Sequence, residues 1–149
     1  MFRKIIATSS TWITIPLRLA LGAVFVGHGA QKVLGSFNGP GFNVFTSGNT
    51  PFSFMRPASA WLAAAALSEL IGGTLIILGL LTRVGAFLIS CVMLTAIVGI
   101  HWPNFFASNR GFEYPMALLA ICLALLIAGG GAASVDLAMS GRAGRGRRR

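Results

Sequence analysis

The sequence predicts an all-α integral membrane protein, a bundle of four membrane-spanning helices with its N- and C-termini in the cytoplasm. Three observations indicate this class: an apolar composition, four long apolar segments and an uneven distribution of basic residues. Apolar residues make up 55% of the 149 residues and charged residues only 10%, whereas a soluble domain carries about 25% charged residues. So few polar side chains cannot cover such an apolar core in water, so the lipid bilayer is the expected solvent.

Four segments of the chain are long and apolar enough to cross a bilayer, which takes roughly 20 residues in a helix. The third and fourth segments carry no charge in their central parts. Because backbone amides in lipid must be paired within their own segment, we expect each segment to be a helix. The predicted spans are residues 16–34, 58–81, 84–101 and 112–130 of a single domain that covers 1–149.

The basic residues indicate how the bundle is oriented. With four spans both termini lie on one side, and that side is predicted to hold Arg3, Lys4, Arg83, Arg142, Arg145, Arg147, Arg148 and Arg149. The opposite side receives Lys32, Arg56 and Arg110. Since cytoplasmic loops carry the excess of positive charge, the termini are predicted to be cytoplasmic. Arg18, one turn into the first span, is expected to extend back to the inner surface.

The last residues, 138–149, end in the run "GRAGRGRRR" and are predicted to form a basic, disordered tail. Such a tail is expected to lie on the anionic head groups of the inner leaflet. A basic chain can also indicate nucleic-acid binding. However, half the bases lie at helix boundaries and no groove-reading motif is present, so the bilayer is the expected partner and nucleic acid is not.

The connection at residues 35–57 is the long one, and its composition is unusual for a solvated loop. It contains Gly, Pro, Asn and Ser together with Phe37, Phe42, Phe45, Phe52 and Phe54. Long connections tend to be functional or disordered, and five aromatic residues argue against disorder. This aromatic-rich outer loop is expected to fold back onto the bundle or to enter the membrane interface. It would act either as a lid over a site or as an interfacial anchor.

Five ionisable side chains are predicted to lie in the outer half of the membrane. Glu69 lies roughly 18 Å above the cytoplasmic end of its span, at the level of His28. Lys32 lies one turn further out on the face of His28, and His101 and Glu113 lie at the outer ends of the third and fourth spans. A buried carboxylate needs a partner, so Glu69 is expected to meet Lys32 or His28. The cluster would either fix helix packing or mark a functional pocket.

Other residues are assigned structural or open roles. Ala23 with Gly27, and Ser68 with Gly72, have the spacing that lets helix backbones approach closely. Arg83 and Asp136 are expected to pair at the cytoplasmic end and to be structural. The two cysteines, at 91 and 122, lie at similar depths; they are either small packing residues or a redox pair, and whether they touch is left open. No metal-binding motif is present.

Several runs of the sequence resemble the DoxX family of small bacterial membrane proteins. They are "RLALGAVFVGHGAQKVLGSF", "LSELIGGTLIILGLLTRVGAFL", "AIVGIHWPNFF" and "GFEYPMALLAICLALLIAGGGAASVDL", which together cover most of the chain from Leu17 to Leu137. The resemblance implies a multi-pass protein of the bacterial inner membrane. The family takes its name from a subunit of an archaeal thiosulfate:quinone oxidoreductase, and other members are linked to oxidative-stress complexes. The residues at the family's motif positions are Gly27, His28, Lys32, Glu69, Gly72, Gly73, Arg83, His101, Glu113 and Asp136.

The resemblance and the outer cluster together favour a membrane oxidoreductase, or a subunit of one, that uses quinone. No Cys-x-x-Cys motif or dinucleotide-binding pattern is present in the sequence, so the electron carrier is expected from outside. In this hypothesis Lys32 or His28 hydrogen-bonds the quinone head group and Glu69 relays a proton, which makes these three the predicted catalytic residues. His101 and Glu113 are the predicted ligand-binding residues at the outer mouth.

Two other classes of function are kept as alternatives. The first is a non-catalytic accessory or scaffold subunit of a membrane redox or stress-response complex, in which the partner protein does the chemistry. The second is a small transporter, although ionisable groups in one half of the membrane make no complete path and no inverted repeat is visible. A redox partner protein or a homo-oligomer is the expected protein partner.

Overall fold

The computed structural model describes residues 5–145, and the regular elements in that range are all helical. Four of the helices have 15 or more residues and overlap the predicted segments, with ends moved by a few residues. The helices are α1 (Thr14–Leu34), α2 (Gly41–Thr46), α3 (Ala58–Leu78), α4 (Thr82–Ala96), α5 (Glu113–Ala128) and α6 (Val135–Arg145). A π-helical turn, Ile97–His101, extends α4, and a 3-10 turn, Ala107–Asn109, precedes α5.

Two helices among the described residues are long and apolar enough to cross a membrane. They are α3 and the helix formed by α4 with its π-helical turn, Thr82–His101. Helix α5 is apolar but shorter, at 16 residues. These two helices support a membrane protein; four spans and the side on which the termini lie stay predictions.

The long helices pack in a bundle around one apolar core. Helix α1 packs against α3, α3 against α4 and α4 against α5, and a smaller contact between α1 and α5 closes the bundle. The fully buried side chains of the core include Leu21, Phe25, Ile76, Ile89 and Leu125. The core therefore draws on all four long helices.

Glycines set the closest approach between helices. A Cβ atom on Gly29 of α1 would lie 2.5 Å from the Cα atom of Leu70 in α3, so the two backbones touch there. Gly72 of α3 lies against Gly85 of α4 in the same way, which confirms the expectation for Gly72. The expectation for Ala23 and Gly27 is wrong: Ala23 is exposed and open space surrounds Gly27.

Arg18 is buried and does not extend to the surface, which corrects the expectation from the sequence. Its side chain is only 4% exposed. The guanidinium donates hydrogen bonds to backbone carbonyl groups at the end of α3 and in the turn after α5, because the last carbonyls of a helix have no partner within it. The acceptors are the carbonyl oxygens of Ile76 (3.0 Å), Ile77 (2.8 Å), Gly130 (2.9 Å), Ala132 (3.2 Å) and Ala133 (3.4 Å).

The two residues predicted to be structural bind backbone groups at the same end of the bundle. The Asp136 carboxylate accepts hydrogen bonds from the amides of Leu81 and Thr82 at 2.8 and 2.9 Å and from the Thr82 hydroxyl at 2.8 Å. It thereby caps the start of α4. Arg83 donates to the carbonyl oxygens of Leu126 and Ile127, at the end of α5, both at 2.8 Å. Each side chain thus joins two segments that are far apart in sequence.

The structure differs from the predicted disordered tail, since α6 continues to Arg145. Ser134 starts this helix: its hydroxyl oxygen accepts a hydrogen bond from the Leu137 amide at 3.1 Å. Asp136 in the first turn favours a helix start because a negative charge there complements the helix dipole. The predicted positions of Arg3 and Lys4, and of residues 146–149, lie outside the described residues.

Candidate functional site

A cavity of about 920 Å³ lies in the half of the bundle opposite Arg18. Its walls come from α1, α3, α4 and α5, and the connection at residues 35–57 covers it. Most of the lining is apolar. The side chains in the lining that can donate, accept or exchange protons include His28, Lys32, Glu69, Cys91, His101 and Tyr114.

The central polar feature of the cavity is an ion pair between α1 and α3. The Lys32 ammonium group lies 2.5 and 2.6 Å from the two carboxylate oxygens of Glu69. The Glu69 side chain is 4% exposed and that of Lys32 is 24% exposed. The ammonium also lies 5.3 Å from the centre of the Phe45 ring, a cation–π contact. The prediction that Glu69 meets a base of α1 is confirmed, and of the two candidates the base is Lys32.

The packing of α1 on α3 explains why these two residues meet. Gly29 precedes Lys32 by three residues, and its backbone touches Leu70, the residue after Glu69. Because the two backbones are so close, the Lys32 side chain is long enough to bring its ammonium group to a carboxylate on α3. His28, one turn before Lys32, also lines the cavity, but its ring is exposed.

His101 lines the cavity from the π-helical turn at the end of α4. Its Nδ1 atom lies 2.6 Å from the carbonyl oxygen of Arg110. A carbonyl only accepts hydrogen bonds, so Nδ1 carries the proton and Nε2 of the neutral ring is an acceptor. The π-helical turn is a feature often found at functional sites. His101 therefore has the position and the orientation to contact a ligand.

Glu113 is not among the residues that line the cavity, and its ligand-binding role stays a prediction. Its Oε1 atom accepts a hydrogen bond from the Ala107 amide at 2.6 Å. The backbone amide of Glu113 donates to the Phe105 carbonyl at 3.0 Å. The carboxylate thus stabilises the loop before α5, because a short turn leaves an amide that a nearby carboxylate can satisfy.

The connection at residues 35–57 folds back onto the bundle, as predicted. Helix α2 packs on α1 and α3, and Phe45, Thr50, Pro51 and Met55 contribute to the cavity lining. The loop reaches α4 at Gly99, where a Cβ atom would lie 2.7 Å from Cβ of Pro51. This contact brings the loop against the turn that carries His101, so the loop covers the cavity from α1 to α4.

The two cysteines occupy different environments and are both free thiols. Cys91 is exposed and lines the cavity, whereas Cys122 is fully buried in the apolar core. Cys122 therefore fits the packing interpretation. The position of Cys91 in the cavity wall was not predicted. Counting residues along the span gives the depth of Cys91 in the membrane but not the face of α4 on which it lies.

The fold and the cavity define a helical membrane protein with an ion pair inside its bundle. The chain belongs to the DoxX family: the family model described as DoxX matches residues 13–102. This confirms the resemblance found in the sequence motifs. A curated relative in Bacillus subtilis (strain 168), named "Putative oxidoreductase CatD", is 37% identical over 112 residues, which cover 75% of this chain and 77% of the relative. No solved structure matches the chain.

Proposed function

We propose that this protein binds a quinone head group in the cavity and acts as a membrane oxidoreductase or as a subunit of one. The observation that carries the proposal is the Lys32–Glu69 ion pair in the wall of an otherwise apolar cavity, with His28 and His101 in the same wall. An apolar pocket with a few convergent polar groups is the usual form of a small-molecule site. The name of the Bacillus subtilis relative is consistent with redox chemistry.

The proposal includes four spans in the bacterial inner membrane, with the Arg18 end of the bundle towards the cytoplasm. Exposed aromatic side chains near both ends support a bundle that spans the bilayer. Trp12 is 73% exposed near the Arg18 end, and Trp61, Trp102 and Tyr114 are exposed near the cavity end. Tryptophan and tyrosine are enriched where a membrane protein meets the two bilayer interfaces.

The chemistry follows from what a quinone needs when it is reduced. Its two carbonyl oxygens require hydrogen-bond donors, and reduction to the quinol takes up two electrons and two protons. The Lys32 ammonium and the His28 ring can donate to a carbonyl oxygen, and Glu69 beside Lys32 can carry a proton to it. The electrons would come from a redox partner protein. The loop at residues 35–57 would exclude water from the cavity.

Native mass spectrometry with lipid extraction tests this proposal on protein purified in a mild detergent. Wild type is compared with Glu69→Gln, in which the amide oxygen can still accept a hydrogen bond from Lys32. Glu113→Gln is the matched control because Glu113 lies outside the cavity lining. We expect quinone in wild type and in Glu113→Gln, and its loss from a folded Glu69→Gln variant. Wild-type protein that stays empty when supplied with quinone contradicts the proposal.

A second candidate is the accessory or scaffold subunit, and one observation favours it. Both carboxylate oxygens of Glu69 are bound by Lys32, so the pair is sufficient to hold α1 against α3 without any ligand. In that case the redox chemistry belongs to a partner protein. The test is whether purified protein oxidises or reduces a soluble quinone when given an artificial electron donor or acceptor. No turnover by wild type, with turnover restored by a co-purifying protein, favours the accessory role.

A further inference from the structure

Helices α3 and α4 cross where two glycines meet. A Cβ atom on Gly72 would lie 3.2 Å from the Gly85 carbonyl oxygen, and one on Gly85 would lie 2.8 Å from the Gly72 carbonyl oxygen. The two helices are therefore in backbone contact at this crossing. Any space between them must lie beyond the crossing, towards the cavity end of the bundle.

Small side chains line the cavity on both helices beyond this crossing. On α3 they are Ala64 and Ser68, and on α4 they are Cys91 and Thr95. Each of these pairs is four residues apart, so each forms a stripe along one face of its helix. Ala64 and Cys91 line the cavity and are exposed. We call the gap bounded by these four residues the side opening.

The other approaches to the cavity are less suited to an apolar chain. Residues 35–57 cover the end of the bundle, with Pro51 seated against Gly99 of the π-helical turn. On α1 and α5 the cavity lining includes the polar side chains of His28 and Tyr114. The side opening is thus the approach that is both uncovered and lined by small side chains.

We infer that a lipid-soluble ligand enters the cavity from the bilayer through the side opening and leaves its apolar tail there; this rests on the proposed quinone site. A cavity of about 920 Å³ is in the range of sites for drug-sized molecules. It holds a quinone head group and the beginning of an isoprenoid tail, but not a tail of many units. The remainder of the tail must lie outside, and small residues at 64 and 91 leave room for it between the helices.

Bulky substitutions at the opening test this inference. Ala64→Trp and Cys91→Trp should narrow the opening, and Leu67→Trp and Leu94→Trp are the matched controls. Leu67 and Leu94 are 40% and 52% exposed on the same helices but do not line the cavity. Binding is measured for a long-chain ubiquinone and for tetramethylbenzoquinone, which has no tail and no free ring position for a thiol to attack.

We expect the two variants at the opening to bind the long-chain quinone at least about tenfold more weakly, about 1.4 kcal/mol. Tetramethylbenzoquinone should lose at least about fivefold less affinity in these two variants than the long-chain quinone does, and the two controls should bind both quinones as wild type does. Normal binding of the long-chain quinone by Ala64→Trp and Cys91→Trp overturns the side opening, while the quinone site itself stands. Failure of wild type to bind either quinone overturns the proposed function and the inference together.

Labelling of the native thiol gives a second measurement that needs no substitution. Cys91 is exposed and Cys122 is fully buried, so N-ethylmaleimide should modify Cys91 first. A long-chain quinone should slow this reaction at least about fivefold because its tail covers the thiol. Tetramethylbenzoquinone at saturation should slow it much less. If both quinones slow the modification of Cys91 equally, the quinone tail does not pass Cys91 and the inference is contradicted.

Discussion

Each end of the bundle holds a charged residue of α1 between its helices, Arg18 fully buried and Lys32 partly buried, and the two are surrounded differently. At one end the Arg18 guanidinium donates to five backbone carbonyl groups. At the other end Lys32 binds the Glu69 carboxylate in the wall of a cavity of about 920 Å³. Both charges are satisfied. One faces fixed backbone on all sides, and the other faces space that a ligand can enter.

The two ends therefore differ in what the charged side chain can do. Carbonyl groups at helix ends cannot move far, so the Arg18 network has one arrangement and serves to hold α3 and the turn after α5 together. A lysine and a carboxylate can exchange a proton or turn towards a ligand, because both side chains have several rotatable bonds. We therefore expect substitutions at the Arg18 end to reduce stability more than quinone binding. Substitutions at the Lys32 end should reduce quinone binding more than stability.

The largest effect is expected for Arg18→Met. The substitution removes the guanidinium donor from five carbonyl oxygens, of which those of Ile76 and Gly130 keep a second donor, the Gly79 amide and the Thr14 hydroxyl. Hydrogen bonds from a charged group contribute about 1.5–3 kcal/mol each. We expect the free energy of unfolding to fall by about 3 kcal/mol or more, read from thermal unfolding followed by circular dichroism in detergent. Arg56→Met, at an exposed position, is the control. Equal melting temperatures for the two variants would show that the Arg18 network is not structural.

A smaller loss of stability is expected for Lys32→Met, because this change leaves the buried Glu69 carboxylate unpaired. Breaking a fully buried pair costs about 3–5 kcal/mol. Because Lys32 is 24% exposed, solvent screening should reduce the loss in the free energy of unfolding to about 2 kcal/mol. The double variant Lys32→Met/Glu69→Gln should recover part of the loss, as measured by a double-mutant cycle of unfolding. A double variant that loses the sum of the two single changes would argue against an energetic pair.

Gly29→Ala should weaken the contact between α1 and α3 by about 1–2 kcal/mol, since the added methyl group meets the backbone of Leu70. Gly27→Ala is the matched control on the same helix, because open space surrounds Gly27. The control should be neutral or stabilising by up to about 1 kcal/mol, through helix propensity. Similar unfolding for the two alanine variants would contradict the backbone contact at Gly29.

The smallest effect is expected from His101 and Glu113, which the sequence assigned to the same ligand-binding role. His101→Gln should weaken binding of the reduced ligand, tetramethylhydroquinone, about fivefold, because a quinol hydroxyl can donate to the Nε2 acceptor of His101; the loss corresponds to one hydrogen bond of about 1 kcal/mol. Glu113→Gln should leave the affinity unchanged, because its side-chain oxygen can still accept from Ala107. Titration with tetramethylhydroquinone under reducing conditions measures both. A larger loss in Glu113→Gln than in His101→Gln would place the mouth of the site elsewhere.

The sequence predicts much of this arrangement because its main signals are local. Apolar runs of helical length located the four long helices, and counting residues along two helices placed Glu69 near Lys32 and His28. Which of the two bases pairs with Glu69 depends on how α1 is rotated about its axis relative to α3. This rotation is set by the contact of Gly29 with Leu70. Counting residues gives depth along a helix but not rotation around it.

The positions of the Arg18 and Glu113 side chains differ from what depth along the helices suggested, and the two differences have related causes. Arg18 was expected at the surface because its acceptors lie 58 or more residues away in the chain, and no sequence pattern connects them. Glu113 has the depth of a cavity residue, but its side chain turns to a backbone amide six residues earlier. In both cases, unpaired backbone groups compete for the charged side chain, and only the folded chain shows where they lie.

The most direct test of the contrast between the two ends is quinone occupancy measured together with melting temperature. Wild type, Glu69→Gln and Arg18→Met are compared by native mass spectrometry at a temperature at which all three are folded, with Arg18→Lys added if Arg18→Met does not fold. The account predicts that Glu69→Gln loses quinone while most of the bundle's stability is kept. It also predicts that the Arg18 variant keeps quinone while its melting temperature falls. Loss of quinone in proportion to loss of stability, whichever end is changed, would contradict it.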